Sequence, residues 1–219
     1  MSCRIALVHA GAVSIEPVQS ALRTLWPEAE PDNLLDDSLM VDRAKSEHLT
    51  PALTERIARL AAYGRDVGAA GILYTCSAFG PAIEAVQRDL AIPVLKPNEA
   101  MFEAALDRGV DIGMVASFAA SIPTMEQELR ELAAARGSRA AIRSVCVPQA
   151  LAALQAGDIP GHNALLADGA KQLGTCDVIL LAQFSTSRAA AATQAAVKAP
   201  VLTAPGTAVA KLKRQLSGR

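Results

Sequence analysis

The chain has 219 residues, of which 51% are hydrophobic, and a formal net charge of −1, so it can bury a large core in one domain or two closely joined halves. A chain this close to neutrality has no surplus of basic residues for phosphates, and only 3% of its residues are aromatic, so we expect no nucleic-acid partner. No apolar run is long enough to span a bilayer and the first residues do not read as a signal peptide, so we expect no membrane partner.

Short apolar segments alternate with helical segments along the chain. In the first half, the predicted strands are RIALVHAG, PDNLLDD, GILYTC and IPVLKP, and the predicted helices cover residues 14–26, 51–67, 81–90 and 98–108. Thr50 is expected to cap the second of these helices, with Pro51 in its first turn. The pattern then begins again at DIGMVAS. Near-continuous apolar strands that alternate with helices predict parallel sheets covered by helices on both faces.

The second half of the chain repeats the first with a constant shift of 107 positions. The shift pairs Ile5 with Ile112 and, without a gap, the tripeptide PVL at residues 93–95 with the same tripeptide at residues 200–202. Since one shift serves well-separated segments, we interpret the chain as an internal duplication.

The duplication predicts the domain organisation. We expect an N-terminal half over residues 1–109, on which part of the C-terminal helix can pack, and a C-terminal half over residues 110–219. The predicted fold class is α/β, with two duplicated Rossmann-like halves whose parallel four-stranded sheets face a central cleft. Ligands of open α/β sheets bind beyond the carboxyl ends of the strands, so we expect the functional site in this cleft.

A cysteine stands at the end of the third predicted strand, in the segment YTCSAFGP. Cys76 lies there between the hydroxyl side chains of Thr75 and Ser77, just before a helix. A thiol has an ordinary pKa of about 8.5, and the amide N–H groups at a helix N-terminus lower it. The same N–H groups and hydroxyls can hold a carboxylate or a developing enediolate. We therefore predict that Cys76 is catalytic and that Thr75 and Ser77 bind substrate; the alternative is a small cysteine buried in an apolar strand.

Three further polar residues fall at strand ends. The shift of 107 places Gln183 at the position of Cys76, and a carboxamide cannot usefully exchange protons at neutral pH. Ser117 ends the first strand of the second half. His9 ends the first strand of the first half, where it can bind a substrate carboxylate or exchange protons, or can be a satisfied residue of the strand end.

The other cysteines and histidines show no CxxC pair and no spacing typical of a metal site. We therefore expect free thiols in a reducing cytoplasm, with no metal. Cys3, Cys146 and Cys176 are predicted to be structural. His48, before a capped helix, and His162, in a Pro-Gly turn, are predicted to lie at the surface.

Three features carry a resemblance to a known family: the duplicated pattern, YTCSA after the third strand, and DVILLAQFS at the matching place in the second half. By these features the chain resembles the aspartate/glutamate/hydantoin racemase superfamily, which also contains arylmalonate decarboxylases and maleate isomerases. The resemblance covers essentially the whole chain. It implies a cofactor-independent (PLP-independent) isomerase that acts on a small carboxylic acid and forms a homodimer. It also implies that Ser117 binds a substrate carboxylate and that a loop arginine, here Arg43, adds a second contact. Gln183 and Ser185 are then expected to orient the substrate from the opposite wall.

The chain departs from this family pattern at one position. Relatives typically carry one cysteine in each half, but the second maps onto Gln183. Cys176 cannot replace it, because it lies at the entry of the strand that begins at Asp177-Val178, roughly a strand length from the expected cleft. Two-base racemisation needs an acid/base group on each side of the substrate, so we predict an isomerase that uses a single thiolate. Its chemistry is α-proton exchange or slow racemisation with water or His9 as the other partner, or cis–trans isomerisation, or decarboxylation of a malonate-type acid. A catalytically silent small-acid binding protein is the alternative.

Overall fold

The computed structural model describes residues 3–218, which form two compact units. The first unit contains the residues up to Pro97 together with the segment from Pro205 onward. The second unit runs from Asn98 to Ala204. The chain therefore leaves the first unit once and returns to it for its last helix.

The first unit is built on one parallel sheet. Its strands are β1 (Cys3–His9), β2 (Ala29–Leu35), β3 (Gly71–Tyr74) and β4 (Val94–Leu95). They lie in the order β2-β1-β3-β4 with every neighbouring pair parallel. Its helices are α1 (Ile15–Leu25), α2 (Ser38–Ala44), α3 (Pro51–Asp66) and α4 (Gly80–Asp89).

The second unit has the same architecture. Its strands are β5 (Asp111–Ala116), β6 (Ala141–Cys146), β7 (Val178–Leu181) and β8 (Val201–Thr203). They form a parallel sheet in the order β6-β5-β7-β8. Its helices are α5 (Glu99–Leu106), α6 (Ile122–Ala135), α7 (Pro148–Gln155), α8 (Ile159–Lys171) and α9 (Ala190–Ala196). The last helix, α10 (Ala204–Ser217), lies almost wholly in the first unit.

The predicted α/β fold of two similar halves with parallel four-stranded sheets is confirmed. The shift of 107 positions carries β3 onto β7 residue for residue. The central strands are buried over most of their length, as Ile5 and Leu7 of β1 and Ile72 and Leu73 of β3 show. Such strands are apolar throughout because helices cover both faces of the sheet. The boundary near Gly109 remains a prediction about the repeat, since the compact units divide at other points.

Helix α3 shows how local sequence fixes an element of the first unit. The Thr50 side chain accepts a hydrogen bond from the Leu53 N–H at 3.3 Å, which confirms the predicted cap. Gly64 lets the helix approach the sheet, because a Cβ there would lie 2.7 Å from the Cβ of Ala6 in β1. Any larger residue would force α3 away from the strand that carries His9.

The prediction for His162 is wrong, although His48 is exposed as expected. His162 is fully buried in the first turns of α8, and its Nδ1 lies 2.9 Å from the Ala150 carbonyl oxygen. The Ile-Pro-Gly segment that resembles a turn is the start of this helix, because Asp158 caps it by accepting the Gly161 N–H at 2.8 Å. Proline is tolerated in a first turn, where its missing N–H is not needed.

Within residues 3–218, no helix combines the length and apolarity that crossing a membrane requires. The same residues hold no group of three His, Cys, Asp or Glu side chains arranged to bind a metal ion.

Candidate active site

Cys76 lies directly beyond the carboxyl end of β3. It has an extended backbone (φ −120°, ψ 125°) and precedes a 3-10 turn over Ser77–Phe79 that leads into α4. Thr75 and Ser77 are almost completely buried, whereas Cys76 is partly exposed. Of this predicted triplet, Cys76 is therefore the residue with the most exposed surface.

The expected lowering of the Cys76 pKa is wrong for this conformation. Protein atoms surround the sulfur, and the resulting desolvation raises the pKa of the thiol to about 11. The Ala78 backbone N–H, which hydrogen-bonds to the sulfur, and the positive charge of Arg43 both lower the pKa, but by less. Cys76 is consequently a neutral S–H group at pH 7.

The predicted loop position of Arg43 is wrong. It lies in α2 rather than in a loop and is almost fully buried. Its Nε donates to the Ala78 carbonyl oxygen at 3.3 Å and its Nη1 to the Ser46 carbonyl oxygen at 2.6 Å. Arg43 thus holds the turn that follows Cys76. The spacing of Leu39 and Arg43, both buried and four residues apart, was the available signal for a helix face.

Helix α2 is fixed to its surroundings by charge and by close packing. On α3, Arg56 donates from Nε to Asp36 Oδ2 at 3.0 Å and from Nη1 to Asp42 Oδ2 at 2.8 Å. Burial is the largest single influence on the pKa of Asp36 and raises it, but the hydrogen bonds from Arg56 and Ser38 and the charge of Arg56 together lower it more, so the net change is downward. On the other side, a Cβ at Gly11 would lie 2.5 Å from Met40 Sδ, so α2 packs closely on the segment after β1.

His9 is fully buried and joins three neighbouring strand ends. Its Nδ1 lies 2.8 Å from Thr75 Oγ1 and its Nε2 lies 3.0 Å from Asn33 Oδ1. An amide oxygen can only accept, so Nε2 carries the proton and Nδ1 accepts from the Thr75 hydroxyl. Burial lowers the pKa of His9 to about 4, although the bond to Asn33 opposes this change. His9 is therefore neutral at pH 7 and orients the residue before Cys76.

In the second unit, Gln183 follows β7 and is tied to two serines. Its Oε1 accepts the Ser117 backbone N–H at 2.7 Å and the Ser117 hydroxyl at 2.8 Å. Its Nε2 donates to Ser121 Oγ at 3.0 Å. Both serines are almost completely buried, whereas Gln183 is partly exposed. The sequence analysis missed Ser121, although Ser121 matches Ser14 under the same shift of 107 positions.

The backbone around Gln183 is also fixed. Thr186 Oγ1 accepts the Gln183 N–H at 3.2 Å and donates to the Gln183 carbonyl oxygen at 2.8 Å. Ser185, the third polar residue predicted for this half, begins a 3-10 turn and is almost fully buried. The structure thus brings Ser117, Gln183 and Ser185 to the strand ends of one unit, and His9 and Cys76 to those of the other.

The remaining cysteines lie elsewhere, and all four are free thiols. Cys176 is at the amino end of β7, where Arg143 Nη2 lies 3.2 Å from its sulfur. Burial raises the pKa of Cys176, and also those of Cys3 and Cys146. None of the three lies at the carboxyl end of β3 or β7, where Cys76 and Gln183 are found. Their structural role remains a prediction.

Solved structures with this fold cover nearly the whole chain. A glutamate racemase from Bacillus anthracis is 14% identical, with a TM-score of 0.76 over 99% of this chain and 82% of its own. A variant of arylmalonate decarboxylase is 17% identical, with a TM-score of 0.65 over 98% and 94%. Allantoin racemase from Klebsiella pneumoniae is 17% identical, with a TM-score of 0.63 over 98% and 88%. At these identities the likeness concerns the fold.

A comparison with curated proteins gave no match. The sequence model of the Asp/Glu/Hydantoin racemase family matches residues 16–202, which include strands β2 to β7 in full and most of β8. The match contains Cys76, Ser117 and Gln183. Together with the two similar parallel sheets, it shows that the chain belongs to the Asp/Glu/hydantoin racemase family.

Proposed function

We propose that this protein is a cofactor-independent isomerase that moves a proton at the α-carbon of a small carboxylic acid, with Cys76 as its only acid/base side chain. The observation that carries the proposal is a contrast between equivalent positions. Cys76 carries a thiol that receives an N–H from Ala78, whereas the position related by the repeat carries Gln183, whose amide two serines hold. Of these two equivalent positions, Cys76 is therefore the one whose side chain can act as an acid or a base.

The surroundings of Cys76 suit a negatively charged substrate. Arg43 brings a buried positive charge close to the sulfur, and the turn that leads into α4 supplies the Ala78 backbone N–H. Such groups stabilise a carboxylate and the enediolate that forms when its α-proton leaves. Thr75 and Ser77 flank the thiol, and His9 fixes the Thr75 hydroxyl. In this proposal Thr75 and Ser77 shape the substrate site, and His9 acts through Thr75.

The isomerase step uses the thiolate form. Cys76 gives its proton to water, the thiolate takes the α-proton, the new S–H exchanges with solvent, and the proton returns to the same face of the carbon. Water supplies the proton on the other face in the rarer inversion. With a pKa of about 11, only about one thiol in ten thousand is ionised at pH 7. We therefore expect the exchange rate to rise about tenfold for each pH unit between pH 7 and 10.

Decarboxylation is a second candidate, and the raised pKa of Cys76 favours it. In a malonate-type acid the bond to one carboxylate breaks, carbon dioxide leaves, and the electron pair stays on the α-carbon. The neutral S–H then protonates that carbon and the thiolate regains a proton from water. Because this step begins from the form that predominates at pH 7, its rate should stay flat between pH 6 and 9.

The two candidates are separated by one set of measurements. The protein is incubated in heavy water with small amino, hydroxy and dicarboxylic acids, and α-proton loss is followed by NMR; substituted malonates are assayed in parallel for carbon dioxide release. Replacement Cys76→Ala should lower the active rate by roughly a hundredfold or more, since positioned proton transfer contributes factors of this size. Cys146→Ala, which removes a partly buried thiol at the end of β6, is the matched control and should leave the rate unchanged.

The outcome decides between enzyme and binding protein. Exchange or decarboxylation that disappears in Cys76→Ala supports the proposal. A wild-type protein that is thermally stabilised by an acid of the panel, yet shows neither reaction, contradicts it and identifies a catalytically silent binding protein.

A further inference from the structure

The side chain of Gln183 is held by a pair of donors that meet at one oxygen. The Ser117 backbone N–H and the Ser117 hydroxyl lie 2.7 Å and 2.8 Å from Oε1. Ser117 is almost completely buried, so neither donor can turn to bulk water. Two convergent donors on a single sp² oxygen are the arrangement that proteins use to hold a carboxylate or another oxyanion.

The other end of the same amide is also fixed. Nε2 donates to Ser121 Oγ at 3.0 Å, and Ser121 Oγ in turn donates to the Phe118 carbonyl oxygen at 2.7 Å. Ser121 is as buried as Ser117. The orientation of the carboxamide is thus set from both sides, with its oxygen toward Ser117 and its nitrogen toward Ser121.

We propose that Gln183 is an internal ligand, whose neutral amide oxygen occupies an oxyanion site formed by Ser117 and closes it to small carboxylates. The proposal concerns the second unit alone and requires no catalysis. Combined with the proposed function, on which this extension rests, it makes Gln183 a specificity-determining residue. In the second unit the substrate would contact the Gln183 amide, and Ser117 would act by holding that amide in place.

Removing the amide should open the site. In Gln183→Ala the two Ser117 donors lose their acceptor, and an anion can replace it. We expect acetate, measured by titration calorimetry against sodium chloride at equal ionic strength, to bind roughly tenfold or more tightly to Gln183→Ala than to the wild type, as charge-assisted hydrogen bonds are strong. Adding Ser117→Ala removes the hydroxyl donor and should reverse most of the gain.

The chain offers a matched control. Gln194, in α9, also uses both ends of its amide, accepting the Val201 N–H at 2.9 Å and donating to the Ala199 carbonyl oxygen at 3.1 Å. The amide oxygen of Gln194 accepts from a single backbone donor, so Gln194→Ala should not change the affinity for acetate. Equal acetate binding by the wild type and Gln183→Ala, or an equal gain in Gln194→Ala, overturns the proposal.

A second variant tests the same site without an added ligand. Gln183→Glu keeps the shape and places a carboxylate oxygen on the Ser117 donors. We expect the introduced carboxyl, followed by carbon-13 NMR, to titrate below the ordinary glutamate pKa of about 4.3, because both donors favour the charged form. Titration above that value contradicts the proposal, even if Gln183→Ala does not fold.

Failure here is distinct from failure of the proposed function. The acetate titration is repeated in a Cys76→Ala background, where the gain from Gln183→Ala should persist. A protein that shows this gain and no α-proton exchange supports the oxyanion site and contradicts the proposed isomerase. A protein that shows α-proton exchange and no gain in acetate affinity supports the role of Cys76 and contradicts the internal ligand.

Discussion

His9 gives a stability prediction whose size can be worked from the structure. Its ring is fully buried, and burial lowers its pKa from 6.5 to about 4. Between these two pH values the unfolded chain binds a proton at His9 and the folded protein does not. Acid therefore favours the unfolded state, and the stability of the fold falls as the pH falls from 6.5 toward 4.

The expected magnitude follows from the same two pKa values. Each pH unit below 6.5 costs about 1.4 kcal/mol until His9 becomes protonated in the folded state. At pH 5 the loss is about 2 kcal/mol relative to neutral pH, and it reaches about 3 kcal/mol near pH 4. Both figures rest on the burial of the ring, and the hydrogen bond to Asn33, which raises the pKa, makes them smaller than burial alone would.

The assay is urea unfolding at pH 7 and pH 5. Replacement His9→Gln keeps a donor and an acceptor but does not titrate, so this variant should lose about 2 kcal/mol less than the wild type over that interval. His48→Gln removes an exposed histidine and should keep the wild-type dependence. Equal losses in the wild type and His9→Gln, or an NMR titration of the His9 ring near pH 6.5, would refute the reasoning.

Two further predictions concern the packing of the first unit. Gly64→Ala places a Cβ 2.7 Å from the Cβ of Ala6, and we expect a loss of about 1–3 kcal/mol in urea unfolding, since the backbones of α3 and β1 must move apart. Unchanged stability would show that the helix is not seated as described. Arg56→Gln removes the ion pairs with Asp36 and Asp42 and should lower the urea midpoint at pH 7, whereas Arg59→Gln, which breaks an exposed pair on the same helix, should not. The pKa values of Asp36 and Asp42 are lowered, so the Arg56 effect should shrink as acid protonates both carboxylates, and an effect of equal size at pH 7 and pH 2 would contradict this assignment.

The sequence predicts the strands well because their physical signal is local. β3 and β7 are apolar at every position, and the repeat aligns them without a gap. The same signal fails for α2, whose seven residues begin without a side-chain cap and follow two acidic residues typical of a turn. The sequence therefore predicts a loop at Arg43, although tertiary packing buries this residue beside Cys76.

The chemistry of Cys76 shows where sequence reasoning ends. Its position before a helix correctly indicates amide N–H groups near the sulfur, and Ala78 provides one. The sequence does not reveal how many protein atoms surround the thiol, and this desolvation decides the direction of the pKa change. Likewise, the repeat identifies Gln183 as the partner position, but only the three-dimensional contacts show that Ser117 and Ser121 hold its amide.

The most direct test of single-thiol chemistry is to locate the deuterium in each enantiomer of an active substrate. A pure enantiomer is incubated with the wild-type protein in heavy water, and the two enantiomers are separated and analysed by mass spectrometry at low conversion. Since Cys76 returns the proton to the face from which it came, we expect deuterium to accumulate first in the starting enantiomer, several-fold faster than inversion. Deuterium that enters only the inverted enantiomer would require a second acid/base group and would contradict the proposed mechanism.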